Sequence, residues 1–253
     1  MISVEDGTTL PLLYHLNSEP WMNLEAYAQH SYEVEFKREA GEALALPAPG
    51  ENSHAVSHVM RSLSARGSCR KYAAREMPLE TLSTLLGGSY GLTRLNKLES
   101  GLRFHSRPVP SAGGLYPLEL YVMTRQVTGA KDGIHHFEAA TNTLRHLQPF
   151  PPHEKLVELF LSQYFLENAN LLVMISAVFP RTLRKYGARG YRYILLEAGH
   201  VAQTICLLAA EQQLGSLCMG GFWDARLNTF LKFDGTTQAV VYCVGVGHPL
   251  EPA

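Results

Sequence analysis

Leu171–Val178 reads LLVMISAV, eight residues without a charge and with one hydroxyl. An uncharged run of that length, rich in branched side chains, reads as a strand covered on both faces. This run calls for a central sheet between two layers of helix. ELYVMT at Glu119–Thr124 supplies a second strand and Gly133–Phe137 with Thr143–His146 a hairpin; QAVVYCVGV at Gln238–Val246 supplies a last buried strand. Helices are expected at His54–Ser64, from Pro78 through PLETLSTLLGGSYG with the glycines at its end, at His153–Leu166 and at Asp224–Phe233. The longest, Tyr191–Gln213, is apolar nearly all round and belongs at the centre of the fold or at an interface. Residues 92–116 contain Pro108, Pro110, Gly113 and Gly114 and read as a long functional loop. The expected fold class is α+β, a mixed central β-sheet flanked by helices on both faces.

Residues 1–50 read as an N-terminal arm and linker: an aromatic stretch (Tyr14, Trp21, Tyr27, Tyr32), then EALALPAPGEN. Residues 51–253 form the domain proper. At 46% hydrophobic and 18% charged, the 253-residue chain can build a substantial core. Its 22 basic and 23 acidic side chains leave a net charge of -1, so no broad positive field attracts a nucleic-acid backbone. Cys69, Cys206, Cys218 and Cys243 are far apart and fall mostly within apolar segments, with no metal-binding spacing. The N-terminus lacks the basic start of a signal peptide. Ile194–Ala210 carries Glu197, His200 and Gln203, as a buried helix does and a membrane span does not. A cytoplasmic protein with reduced thiols and no membrane partner is expected.

Nucleotide fingerprints fail. GVGHPL at 245–250 starts like a dinucleotide loop, but too little chain follows for a helix. His54 and His58 share a helical spacing without the glutamate of a zinc-protease motif, because Ala55 follows His54. Three segments carry more. Arg66-Gly67-Ser68-Cys69-Arg70-Lys71-Tyr72 alternates cations and hydroxyl around a glycine: a phosphate cradle or a solvated basic turn. Pro110-Ser111-Ala112-Gly113-Gly114 lets a flat ligand lie against bare backbone, or is a tight turn before a strand. Arg181–Gln203 gathers Arg181, Arg184, Lys185, Arg189 and Arg192 among Tyr186, Tyr191 and Tyr193. Clustered cations there disfavour one further positive charge and favour a phenolate. In its helical part, Glu197, His200 and Gln203 require partners if buried.

In this order, RGSCRKY, PSAGGLYPLELYV, RKYGARGYRYILLEAGHVAQ and LGSLCMGGF resemble the nitroreductase-like flavoprotein superfamily, and within it the SagB-type dehydrogenase branch that includes thiazoline and oxazoline oxidases. The likeness runs from about Arg66 to Pro249, and YHLNSEPW at 14–21 resembles the preamble of that branch. The resemblance implies a nitroreductase-like fold, with FMN at the interface of a homodimer. Arg66, Gly67, Ser68 and Arg70 match phosphate and ribityl contacts. Pro110, Ser111, Ala112, Gly113 and Gly114 match the loop along the isoalloxazine, and Gly220 and Gly221 match glycines facing the flavin. Gln203 falls where the family often places a polar residue near the cofactor. Lys185 and Tyr186 match the Lys-Tyr pair associated with catalysis in azoline oxidases. The late Lys/Arg pair of many nitroreductases is missing from GVGHPLEPA, which shifts the expected phosphate binding to Arg66, Arg70 and the arginines of 181–192. The implied activity is oxidation of an azoline to an azole in a peptide-derived natural product, on a free or carrier-bound substrate, within a synthetase complex. The alternatives are an NAD(P)H-dependent nitro or quinone reductase and a non-catalytic scaffold subunit of a synthetase.

Overall fold

The computed structural model describes residues 9–18, 57–97, 101, 103–161, 166 and 168–250. Its elements are α1 (Thr9–Asn17), α2 (Ser57–Ala65), α3 (Leu79–Tyr90), β1 (Leu95–Lys97), β2 (Arg103–His105), β3 (Leu118–Thr124), β4 (Gly133–Glu138), β5 (Thr143–Pro149), α4 (His153–Leu159), β6 (Leu171–Val178), α5 (Pro180–Tyr186), α6 (Arg189–Glu211), β7 (Gly215–Met219), α7 (Asp224–Phe230) and β8 (Gln238–Gly247).

Six strands form one sheet in the order β5-β4-β3-β6-β8-β7. The uncharged run 171–178 is indeed a central strand, β6. Leu171, Val173, Ile175 and Ala177 enter one core with α3 and α6, whereas Leu172 and Met174 enter a second with α4 and α7. Adjacent side chains on a strand point to opposite faces, so one apolar run feeds two cores. β8 does the same, and a bulge opposite Ile175/Ser176 reverses its parity, so that Val240 and Cys243 share a face. Every pairing within the sheet is antiparallel, which corrects the expected mixed sheet. Burial on both faces comes from the two helical layers and does not require parallel neighbours.

Pro78 caps α3 from outside, and Gly87 and Gly88 lie within that helix instead of ending it. A Cβ on Gly88 would stand 2.9 Å from Leu208 Cδ1, so the glycine lets α3 approach α6 closely. Helix α6 is long and apolar enough to cross a membrane. It packs instead on β7, β8, α2, α3 and α5. Its apolar character is not continuous around the helix: Ile194, Ala198, Val201, Ala202, Ile205 and Cys206 are buried, whereas Leu195, Leu196, Gly199, His200 and Gln203 are exposed. Helix α1, from the expected arm, docks on the body through buried His15, whose ring faces Phe179 and hydrogen-bonds Tyr191 Oη at 3.0 Å. Trp21, Tyr27, Tyr32, His54 and the EALALPAPGEN segment lie outside the described residues.

Candidate functional site

Two groups of predicted residues assemble at different places along α6. The first forms where the chain leaves α2 and crosses β7. Cys69 N donates to Ser216 O at 2.9 Å, and Ser68 bridges Ser216. This crossing holds Arg66, Gly67, Ser68, Arg70 and Lys71 around a cavity of about 420 Å³ whose far wall is Ala210, Leu214, Gly215, Ser216 and Pro249. Among the described residues, none of the three cations has an ion pair. Unpaired cations around a cavity, with a serine hydroxyl and exposed backbone, are the donor set a phosphomonoester requires.

The second group is the loop before β3. Ala112–Gly114 make one 3-10 turn in which Gly113 (φ 62) and Gly114 (φ 65) adopt the left-handed conformation. A Cβ on Gly113 would lie 2.6 Å from Tyr186 Oη and 2.8 Å from Lys185 Nζ. The last turn of α5 therefore places both predicted catalytic side chains on this glycine. Lys185 Nζ lies 5.3 Å from the Tyr186 ring centroid, and Tyr193 meets that ring edge-on with the centroids 5.1 Å apart.

Beneath the loop lies a buried polar network that only partly shows in the sequence. Glu197 is 3% exposed and accepts a hydrogen bond from Tyr90 Oη at 2.7 Å and another from the Ser111 hydroxyl. Burial raises the Glu197 carboxyl above its ordinary range, against the pull of those two donors. Tyr90 Oη also accepts from Leu118 N at 3.2 Å, and Ser111 Oγ accepts from Tyr116 N at 2.9 Å. Arg107 donates to the Tyr90 carbonyl, its guanidinium 4.2 Å from the Tyr90 ring centroid. Of the three polar residues in the middle of α6, Glu197 alone is buried and paired; His200 and Gln203 lie exposed. Tyr90 and Arg107 give no sequence signal, because only the fold brings α3 and the 92–116 loop to Glu197.

The arginines of 181–192 do not join the cradle within one chain. Arg181 is bound to Glu119, which also meets His136 Nε2 at 3.1 Å. Burial works against the Glu119 carboxylate, yet hydrogen bonds from His136 and Arg181 hold its pKa below the usual range. Arg189 opens α6, whereas Ala210 at the other end lines the cradle, a separation of about 30 Å at 1.5 Å per residue. Glu197 under the loop and Cys206 beside the cradle are nearer, about 13 Å apart along the helix, which an extended flavin mononucleotide spans. Gly220 and Gly221 follow β7, with nothing within 4 Å of a Cβ on Gly220. The residues present fit FMN: Arg66, Ser68 and Arg70 could hold its phosphate, and the open backbone at Gly114 and Gly220 could face its ring.

The pattern of the nitroreductase family matches residues 63–248. The chain is 35% identical over 167 residues to the provisionally named nitroreductase MJ1384 of Methanocaldococcus jannaschii, covering 66% of this chain and 80% of that one. It is 24% identical over 143 residues to the Microcin B17-processing protein McbC of Escherichia coli, covering 53% of this chain and 51% of McbC. The E. coli microcin synthetase McbBCD complex with truncated pro-MccB17 bound contains a chain of the same fold (TM-score 0.68, 19% identity, 92% of this chain and 84% of that chain). A provisionally named nitroreductase of Desulfovibrio desulfuricans solved with FMN shares it too (TM-score 0.51, 14% identity, 77% and 88% covered).

Proposed function

The chain belongs to the nitroreductase family of FMN-dependent oxidoreductases, and from that premise we propose that it is an azoline dehydrogenase, oxidising a thiazoline or oxazoline in a peptide-derived product to the azole. The observation that carries this reading is the convergence of Lys185 Nζ and Tyr186 Oη on Gly113 of the flavin loop. A reductase that passes hydride from a nicotinamide to an acceptor needs no protein base there. An azoline oxidase does, because the carbon next to a carbonyl or imine must lose a proton as the adjacent C–H leaves as hydride. Similarity to McbC, a microcin-processing protein, supports a peptide-derived substrate.

FMN, when bound, would supply the two-electron acceptor, one that oxygen can reoxidise. The protein supplies the rest. Arg66, Ser68 and Arg70 would anchor the phosphate, and Ser111 to Gly114 would present bare backbone to the ring. Glu197, Tyr90 and Ser111 hold that loop in place. One member of the Lys185/Tyr186 pair takes the substrate proton and the other hydrogen-bonds the partner that carries it. Tyr193 fixes the Tyr186 ring edge-on.

The exposed face of α6, with Leu195 and Leu196, suits a second copy, and the flavin would then sit between subunits. A flavin-loaded species sedimenting at 28.1 kDa would rule that pairing out. We further propose a cytoplasmic location, and a place within a synthetase complex, a context to which the McbBCD neighbour lends support.

Lys185→Ala and Tyr186→Phe test the reading. Both are expected to retain flavin and lose azoline turnover by ~10²–10⁴-fold, the usual contribution of a general acid or base. Reduction driven by NAD(P)H, with turnover intact in both variants, would instead support a nitro or quinone reductase, the first of which matches the name of MJ1384.

A further inference from the structure

We propose that Cys206 and Cys218 form a second redox centre, a dithiol that a peroxide closes into an intramolecular disulfide. The two lie 12 residues apart, one on α6 and one on β7, and the turn between those elements brings Sγ to within 3.5 Å of Sγ. Bonded sulfurs are about 2.05 Å apart, so closure requires a shift of roughly 1.5 Å, within reach of side-chain rotation.

The two thiols are not equivalent. Cys206 is 3% exposed and Cys218 half-buried, so an oxidant reaches Cys218 first. The hydrogen bond from Cys206 lowers the Cys218 pKa below the ordinary thiol range, and the Tyr242 hydroxyl and the Arg66 charge add to the effect. Cys206 moves in the opposite direction, because it keeps its proton while it donates to Cys218 and because it is buried. One half-buried, acidic thiol backed by one buried, protonated thiol is the arrangement of an attacking and a resolving cysteine.

The remaining cysteines cannot substitute. Cys69 directs its thiol to Lys71 O at 3.3 Å. Cys243 is fully buried in the other core, and the β7/β8 register sets it opposite Met219, across the sheet from Cys218.

The chemistry closes without the flavin. The Cys218 thiolate attacks one peroxide oxygen; the O–O bond breaks, Cys218 becomes a sulfenic acid, and the departing oxygen takes a proton and leaves as water. Cys206 then attacks the Cys218 sulfur. The S–S bond forms as the S–O bond breaks, and the hydroxyl leaves as a second water with the Cys206 proton. Two thiols have lost two electrons and two protons, and one hydrogen peroxide has become two waters. A dithiol reductant reverses the closure by thiol–disulfide exchange.

The centre lies on the cradle side of the site, since Arg66 acts on both sulfurs and Ser216 hydrogen-bonds Cys206. Closure fastens α6 to the strand that leads into Gly220.

The test uses the full chain as purified, flavin included, exposed to one equivalent of hydrogen peroxide, then alkylated with iodoacetamide and mapped by mass spectrometry. Two of the four thiols are expected to escape alkylation, the mass to fall by two hydrogens, and a peptide pair joined through Cys206 and Cys218 to appear and vanish with dithiothreitol. In Cys206→Ser, dimedone should trap a sulfenic acid on Cys218. Four alkylated thiols after peroxide, oxidation confined to Cys69, or Cys218 driven to sulfinic acid with Cys206 still free would each overturn the proposal in the unaltered protein.

Discussion

Replacing Gly113 with alanine separates what the loop does for the fold from what it does for the chemistry. Gly113 has φ 62, where an alanine pays roughly 1–2 kcal/mol. In a chain of this size 1 kcal/mol lowers Tm by about 2–4 °C, so a modest thermal shift is expected. The steric effect is aimed elsewhere. Ordinary contact begins at 3.4 Å, so a Cβ 2.6 Å from Tyr186 Oη and 2.8 Å from Lys185 Nζ pushes the first back by 0.8 Å and the second by 0.6 Å. Both are far ends of side chains that can move, so the fold survives. A misplacement of about 1 Å can cost 10²-fold in rate, so turnover per bound flavin should fall roughly 10- to 100-fold. Gly114→Ala is the internal comparison. It has φ 65 and no neighbour within 4 Å of a Cβ, so it carries the same backbone cost without displacing the pair. Azoline turnover normalised to flavin content, with Tm by calorimetry, reads both variants. Equal turnover per flavin in Gly113→Ala and the unaltered protein would refute the placement of Lys185 and Tyr186 against the loop.

Arg66→Ala should weaken FMN binding about 10- to 100-fold in a fluorescence titration, because a hydrogen bond to a charged group is worth ~1.5–3 kcal/mol; Arg184→Ala, beyond the far end of α6, should leave the affinity unchanged. Equal losses in the two would remove the cradle at 66–71. Tyr90→Phe takes the buried donor from Glu197, so stability measured in urea should drop by about 1–3 kcal/mol. An unchanged midpoint would mean that the carboxyl finds another partner. Asp234 accepts backbone N–H bonds from Thr236, Thr237 and Gln238 at 2.7–3.0 Å, and although burial opposes them they hold its pKa far below the usual carboxylate range. A depressed carboxylate stabilises the fold above its unfolded pKa of about 3.9 and loses that contribution as pH falls toward the folded value. Asp234→Asn should therefore be less stable at neutral pH, with the gap closing below about pH 4. A gap that does not change with pH would contradict this.

The strands with long apolar runs were legible in the sequence because β6 and β8 are uncharged along most of their length, and their bounds in the fold match the runs within a residue or two. Shorter or more polar elements were not. GSLCM of β7 is bounded by glycines, and PRTLRKY of α5 reads as a cluster of cations, although Pro180 at its start favours a helix. The hairpin of β1 and β2 lies inside the expected 92–116 loop, where three-residue strands leave no periodicity. The helix expected over His153–Leu166 stops at Leu159, and Phe160 packs into the second core instead of extending it.

The site divides in the same way. Local motifs such as Arg66–Lys71, Ser111–Gly114 and Lys185-Tyr186 stand out because each packs its chemistry into a few consecutive residues. Residues that support them from elsewhere do not, because Tyr90, Arg107, Ser216 and the Cys206–Cys218 pair meet only after α3, α6 and β7 have packed. Cys206 and Cys218 are 12 residues apart in no recognised motif, and the spacing alone gives no hint that they touch.

The central claim is that the bound flavin takes electrons from a heterocycle and not from a nicotinamide. It is tested most directly by the visible spectrum of the purified protein under anaerobic conditions. The account predicts an FMN absorbance that a thiazoline or oxazoline peptide bleaches, with formation of the azole, and that returns when air is admitted, while NADH and NADPH leave it nearly unchanged. Rapid bleaching by NAD(P)H with no response to the azoline would contradict it.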